Sequence, residues 1–157
     1  MEEGVDPLFN ESNADVKRLF ESFERFRKSE WRKRTISGIK ASDIRILLTI
    51  KEISLYSSVN VSEISKRLGI TSPTVTQSIK SLTKCGCVER TSDSKDKRVA
   101  DIKLTDKGEE IVQKAAARYQ LIFSGLIESL GKEKTDALIS LLNEMYVYLD
   151  TYSEKEH

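Results

Sequence analysis

The sequence predicts a mainly α-helical protein that carries one small β-hairpin. Two short helical patterns lie within residues 60–86, joined by a turn of only three residues, Gly69-Ile70-Thr71. Two strand-like runs follow at once over 87–104, with a polar, highly charged loop between them. Longer segments with apolar residues at three- and four-residue steps stand at both ends of the chain.

Residues 1–12 hold Gly4, Pro7 and several acids and read as an irregular arm. Val16, Leu19, Phe20, Phe23 and Phe26 then predict an amphipathic helix from about Asn13, its expected N-cap, to Arg34. Arg32, Lys33 and Arg34 would sit in its last turn, where positive charge suits the helix dipole. Ser37-Gly38 breaks the pattern. Ile44, Leu47, Leu48 and Ile53 predict a second helix over 41–54, followed by a loop from Leu55 to Val59. Asn60-Val61-Ser62-Glu63 reads as a capping box that opens a short helix with Ile64 and Leu68 inward and Gly69 as its left-handed end.

Thr71 or Ser72 is the expected cap of the next helix, with Pro73 in its first turn and Val75, Ile79 and Leu82 as its buried stripe. This helix should stop near Gly86. Cys87 to Thr91 then reads as a strand, Ser92 to Lys97 as a loop, and Val99, Ile102 and Leu104 as an imperfectly alternating return strand. Thr105 is placed to cap a helix running to about Ser129, with Ile111, Val112, Ala115, Tyr119, Ile122, Leu126 and Leu130 on one side. Gly131 interrupts, and Leu138, Leu141, Leu142, Met145, Tyr146 and Leu149 mark a last helix over about 132–151. A β-hairpin placed directly after a helix-turn-helix is a wing. The expected architecture is therefore a winged helix-turn-helix over 41–104, with helices 14–34 and 106–151 for dimerisation, all within a single domain of 1–157.

Composition narrows the function. Apolar residues make up 38% and charged residues 32% of the 157, as expected where long helices are partly exposed. No apolar run approaches the roughly 20 residues of a membrane span. Met1-Glu2-Glu3 lacks the basic, apolar start of a leader, so a cytoplasmic protein is expected. Two cysteines are too few for a disulfide framework and suit a reducing compartment. The sole histidine is His157, which leaves no internal histidine for a Ser-His or Cys-His pair or for a His-rich metal cluster. An enzyme is not expected, nor a cofactor or metal. The net charge of +1 hides an uneven distribution: 62–98 hold eight Lys/Arg against four Asp/Glu, and 99–157 hold seven against eleven.

The basic middle coincides with the second short helix. With Val75, Ile79 and Leu82 inward, Pro73, Gln77, Lys80 and Lys84 point outward, flanked by Thr74, Thr76 and Ser81. Gln can bond adenine edges, Ser and Thr bases or phosphates, and Lys guanine or phosphate. An ordinary solvated helix surface usually carries Glu as well, but no acid occurs from Thr71 to Gly86, and an acid there would repel phosphate. In the hairpin loop, Lys95, Lys97 and Arg98 can reach the minor groove or its phosphates. Asp96 is expected to shape the loop by pairing with Arg98 or a backbone amide. Alone, such a hairpin would be a charged surface and nothing more; its place after a helix-turn-helix changes that.

The run Asn60 to Thr76 resembles the helix-turn-helix of the MarR family of multiple-antibiotic-resistance regulators. The likeness continues through Leu82, Gly86, Val88-Glu89-Arg90, Asp96-Lys97-Arg98 and Leu104-Thr105-Asp106-Lys107-Gly108. The resemblance implies a homodimer with interleaved terminal helices, a near-palindromic operator in double-stranded DNA, and release by a small effector or by cysteine oxidation. It maps recognition-helix contacts onto Ser72, Thr74, Thr76, Gln77 and Lys80, and wing contacts onto Lys95, Lys97 and Arg98. Two positions depart from the pattern. Asp101 stands where members often have a basic residue, which is expected to weaken or reposition the wing, and Cys85 and Cys87 replace a basic or polar residue and an aliphatic one.

The terminal helices carry apolar stripes that a small winged domain cannot cover, which supports a dimer; their packing on each other within one chain is the alternative. The cysteine pair reads as structural, with Cys87 a half-buried strand residue. A disulfide across one glycine is expected to be strained, and redox sensing by Cys85 and Cys87 is the less favoured reading. The rival class for the whole chain is a winged-helix module that binds protein.

Overall fold

The computed structural model describes residues 14–29, 35–92 and 100–155. Six helices and one hairpin follow in the order α1 (Ala14–Lys28), α2 (Ala41–Ser54), α3 (Val61–Leu68), α4 (Ser72–Lys84), β1 (Val88–Ser92), β2 (Ala100–Leu104), α5 (Asp106–Leu130) and α6 (Lys132–Lys155). The predicted fold class, mainly helical with a two-stranded hairpin after a helix-turn-helix, is the observed one.

The core gathers around α2. Its Ile44, Ile46, Leu47, Ile50 and Ile53 are all buried, against Ile64 of α3, Val75, Ile79 and Leu82 of α4, Val88 and Ile102 of the hairpin, and Ile111, Val112 and Ala115 of α5. Only the first turns of α5 join this core. Beyond Ala115 its predicted stripe opens out, with Tyr119 half-buried and Leu126 exposed. Neither α1 nor α6 buries a described side chain.

The short helices are set by their ends. The amide of Glu63 donates to Asn60 Oδ1 at 2.9 Å, and Gly69 closes α3 in the left-handed region, φ +61. Thr71 occupies the N-cap position of α4, but its hydroxyl meets the Thr74 hydroxyl at 2.8 Å and caps no amide, contrary to the expected cap. Pro73 is accommodated because a first-turn residue needs no intrahelical amide partner. Thr105 does cap α5: its hydroxyl accepts the amide of Gly108 at 3.2 Å.

Several boundaries move. The N-terminal helix ends at Lys28 instead of Arg34, because the amide and hydroxyl of Ser29 both turn back onto the Phe26 carbonyl. Asn13 and residues 30–34, including the three basic residues assigned to its last turn, lie outside the described residues. The break at Ser37-Gly38 is a tight turn in which Ile36 and Ile39 exchange backbone hydrogen bonds, with Ser37 itself at φ +50. Strand β1 starts at Val88, one residue late, because the amide of Cys87 donates to the Leu82 carbonyl at 2.8 Å and so closes α4. Cys87 is consequently fully buried, where half burial was expected. The last helix runs four residues further, to Lys155. No described helix is long and apolar enough to cross a membrane.

Candidate nucleic-acid interface

Helix α4 is held by its inner face and offers its outer one. Val75 and Ile79 are 0% exposed, Leu82 is buried beside them, and Ser78 is also sealed in. Ser72, Thr74, Gln77 and Lys80 are exposed, as are Pro73, Ser81 and Lys84, while Thr76 is half-buried at the edge of the face. Four of the five candidate contacts on this helix are thus exposed, with Thr76 the least available. No described carboxylate belongs to α4. At its N-terminal end, the α3–α4 turn is fixed by Ser65, whose hydroxyl donates to the Ile70 carbonyl, and by the Ile70 amide, which returns to the Ser65 carbonyl at 3.2 Å.

The basic residues of α3 differ in availability. Arg67 is paired with Glu52 of α2, an ion pair that braces α3 from outside the core. Lys66 is exposed on the helix that precedes the turn.

The hairpin pairs Val88 with Leu104, Glu89 with Lys103, Arg90 with Ile102, Thr91 with Asp101 and Ser92 with Ala100. Its tip, with Lys95, Asp96, Lys97 and Arg98, lies outside the described residues. Asp101 Oδ1 accepts the amide of Val59 at 2.8 Å, and the amide of Ile102 donates to the Val59 carbonyl at 2.9 Å. The loop before α3 is thereby tied to the return strand. In the sequence Asp101 stands out only as an acid where the resemblance leads one to expect a basic residue. No local pattern could have shown its partner, which lies 42 positions away.

The turn from α4 into β1 is the other junction. Lys107 Nζ donates to the Cys85 carbonyl at 2.7 Å, the Thr105 hydroxyl donates to the Gly86 carbonyl at 2.6 Å, and the Thr105 amide donates to the Cys87 carbonyl at 3.1 Å. A methyl group at Gly108 would overlap the Cys87 carbonyl oxygen. The Leu-Thr-x-x-Gly segment therefore welds the end of α4 to the start of α5: the threonine supplies the bonds and the glycine the close approach. The two sulfurs lie within this junction, 3.0 Å apart, Cys85 partly exposed and Cys87 buried. Burial pushes the Cys87 thiol up to about 11, helped by its hydrogen bond to Cys85 and by the charges of Cys85 and Asp43, and opposed by Lys107.

Tyr56 is 82% exposed and Tyr119 half-buried, and Trp31 lies outside the described residues.

Comparison with known proteins gives one consistent picture. The sequence pattern described as MarR family matches residues 37–99. The HTH-type transcriptional repressor MdtR of Bacillus subtilis is 25% identical over 130 residues, which is 83% of this chain and 80% of that protein. A MarR/EmrR family transcriptional regulator from Acinetobacter sp. ADP1 superposes with a TM-score of 0.64 at 26% identity, covering 91% of this chain and 99% of that one. The S. aureus MepR–DNA complex superposes with a TM-score of 0.70 at 19% identity, over 89% of this chain and 99% of the other, a likeness of fold.

Proposed function

We propose that the chain, whose residues 37–99 match the pattern described as MarR family, is a transcriptional regulator of that family that binds double-stranded DNA in a sequence-specific way. It works as a homodimer on a near-palindromic operator, acts as a repressor, and is released by a small effector. The observation that carries the reading is the outer face of α4. A helix anchored by Val75, Ile79 and Leu82 presents Ser72, Thr74, Gln77 and Lys80 outward and bears no acid. A face of that chemistry suits the edges and phosphates of a major groove. Thr76 contributes from the margin, and Lys95, Lys97 and Arg98 of the wing tip reach the neighbouring backbone or minor groove, with Asp96 holding the tip in shape.

The dimer is supported by the terminal helices. Phe20, Phe23 and Phe26 of α1 and Leu138, Leu142, Met145, Tyr146 and Leu149 of α6 are all exposed in the single chain. Leaving such surface in water costs roughly 25 cal/mol per Å² of apolar area, and a second copy removes it. Reading a palindrome requires two recognition helices about one DNA turn apart, which a dimer can supply and a single chain cannot. Repression follows from occupancy of a promoter, and the curated relative MdtR carries that name.

The test is selection of fragments from random-sequence duplex DNA by the reduced, ligand-stripped protein at about physiological salt. A palindrome with half-sites about one turn apart is the expected product. Recovery of nothing above background at low salt as well would overturn the reading in favour of a protein-binding winged module.

A further inference from the structure

The hairpin carries an acid where its proposed task asks for none. Asp101 is the second residue of β2 and stands three positions after Arg98 in the chain. A carboxylate there repels the phosphates that Lys95, Lys97 and Arg98 are proposed to meet. Its contacts give it a different task. We infer that Asp101 is a positioning residue for DNA binding: by accepting the Val59 amide it holds the wing at a fixed angle to α4, so that both reach one duplex together. This inference rests on the DNA-binding reading above.

Three observations support it. The first is that β2 is attached to the loop before α3 at two points. The Ile102 amide donates to the Val59 carbonyl at 2.9 Å, and Asp101 Oδ1 accepts the Val59 amide at 2.8 Å. One bond between two segments is a hinge, because each can turn about its axis. Two bonds from neighbouring residues to the amide and carbonyl of one residue remove that rotation. Val59 is 2% exposed, so water offers its amide no substitute for the carboxylate.

The second is that no loose segment separates this attachment from α4. Val59 is followed directly by Asn60, whose Oδ1 accepts the Glu63 amide and caps α3. At the far end of α3, the hydroxyl and carbonyl of Ser65 hold Ile70 ahead of α4. Arg67 ties α3 to Glu52 of α2 from outside. On the hairpin side, Asp101 is in register with Thr91, and its neighbour Ile102 is buried in the core. The angle between wing and α4 therefore passes through the Asp101 carboxylate. Two reading elements already fixed in their bound arrangement lose less freedom on binding than two that must still be arranged.

The third is how the two oxygens divide their work. Oδ1 serves Val59, and Oδ2 lies 3.6 Å from Lys103 Nζ. The acceptor and the charge are thus separable. Asparagine keeps an oxygen for the Val59 amide and loses the charge, whereas alanine loses both. The Lys103 side chain is 56% exposed and has water to turn to when its partner is neutral.

The experiment measures affinity for a DNA duplex selected as above, at a temperature where every variant is folded. It compares the full-length parent, Asp101→Ala and Asp101→Asn, each with and without the pair Lys97→Ala and Arg98→Ala. Asp101→Ala should bind about three- to ten-fold more weakly, and Asp101→Asn at least as tightly as the parent. The loss in Asp101→Ala should shrink to less than about two-fold once Lys97 and Arg98 are alanine, since a wing without its cations gains nothing from being aimed. A role of charge alone would move Asp101→Ala and Asp101→Asn together, and a role in stability alone would show no coupling to Lys97 and Arg98; either outcome overturns the inference. So does a Lys97→Ala, Arg98→Ala chain that binds like the parent, because the wing is then outside the interface. If the parent binds no duplex, the DNA-binding reading has failed and this inference falls with it. A parent that binds, with Asp101→Ala binding equally well, removes the inference alone.

Discussion

Asp101 Oδ1 accepts the backbone amide of Val59 at 2.8 Å, joining the loop before α3 to the return strand of the hairpin. Val59 is itself buried, so its amide has no water to turn to if the carboxylate is removed. Asp101→Ala should cost about 1–3 kcal/mol, the penalty of leaving a buried donor unpaired. Asp101→Asn, which keeps an acceptor in place, should recover most of it. Urea denaturation of both variants checks the ordering; equal stability of Asp101→Ala and the parent would remove this bond from the account. The Ile102–Val59 bond remains in both variants, so the hairpin should stay attached while its orientation loosens.

Gly108→Ala should be more damaging than its size suggests. The added methyl would overlap the Cys87 carbonyl oxygen, a backbone atom that cannot swing aside as a side chain would. The start of α5 or the end of α4 has to shift, at about 3 kcal/mol. Thermal unfolding of the variant gives the cost. A loss within the ordinary alanine-for-glycine range inside a helix, or a gain, would show that the junction is softer than its hydrogen bonds indicate.

These two positions show what the sequence could and could not reveal. The ends of α3, the stripe of α4 and the cap of α5 are local matters, written in Asn60, Gly69, Val75, Ile79, Leu82 and Thr105 at fixed spacings, and they were legible. The outward face of α4 followed from the same periodicity, except that Thr76 lies deeper than a flanking residue was expected to. The Asp101–Val59 bond was not legible, because its partners meet only after the hairpin has folded back on α2. Cys87 stands just outside β1 for a local reason: alternation suits a strand, but its amide closes the end of α4 on the Leu82 carbonyl five residues back, and its thiol is buried. The apolar stripes of α1 and α6 were legible as stripes; their exposure in the single chain is what points to a partner.

Cys87 should make stability fall at alkaline pH. Its thiol is raised from 9.0 to about 11 in the folded protein, chiefly by burial, so the native state holds a proton that the unfolded chain releases. Below pH 9 both states are protonated and nothing is lost. As pH climbs from 9 toward 11 the unfolded thiol ionises first, and stability declines across that window. Denaturant midpoints of the parent and of Cys87→Ala, compared over this range, isolate the effect from lysines and tyrosines; the parent should fall more steeply. Iodoacetamide at neutral pH should label Cys85 in the native chain and Cys87 only after unfolding.

The exposed stripe of α6 gives a direct test of the dimer. Leu142 is 48% exposed in the single chain and sits centrally among Leu138, Met145, Tyr146 and Leu149. Leu142→Lys places a charge in the middle of any surface that this stripe forms with a second copy, while costing the isolated fold little. The dimer dissociation constant should rise at least about ten-fold, or ~1.4 kcal/mol, measured by sedimentation at several concentrations. An unchanged dimer would mean that α6 packs elsewhere, within its own chain or not at all.

Gln77 and Lys80 lie on the same face of α4 but should behave differently on DNA. Gln77 has the paired donor and acceptor that suits an adenine edge, so Gln77→Ala should cost about 1–3 kcal/mol on a selected site and relax preference at one base pair. Lys80 offers a mobile point charge. Lys80→Ala should weaken binding by a similar factor on every sequence and flatten the dependence on salt by about one counterion. Titrations of both variants on the selected site and on single-base changes of it, at two salt concentrations, separate the roles. A sequence-independent loss for Gln77→Ala would move that side chain to the phosphate backbone. Loss of base preference in Lys80→Ala would instead place the lysine on a guanine. Either exchange keeps α4 in the groove, because both side chains leave the helix on the side opposite Val75, Ile79 and Leu82. Unchanged affinity in both variants, with the fold intact, would take α4 out of the interface.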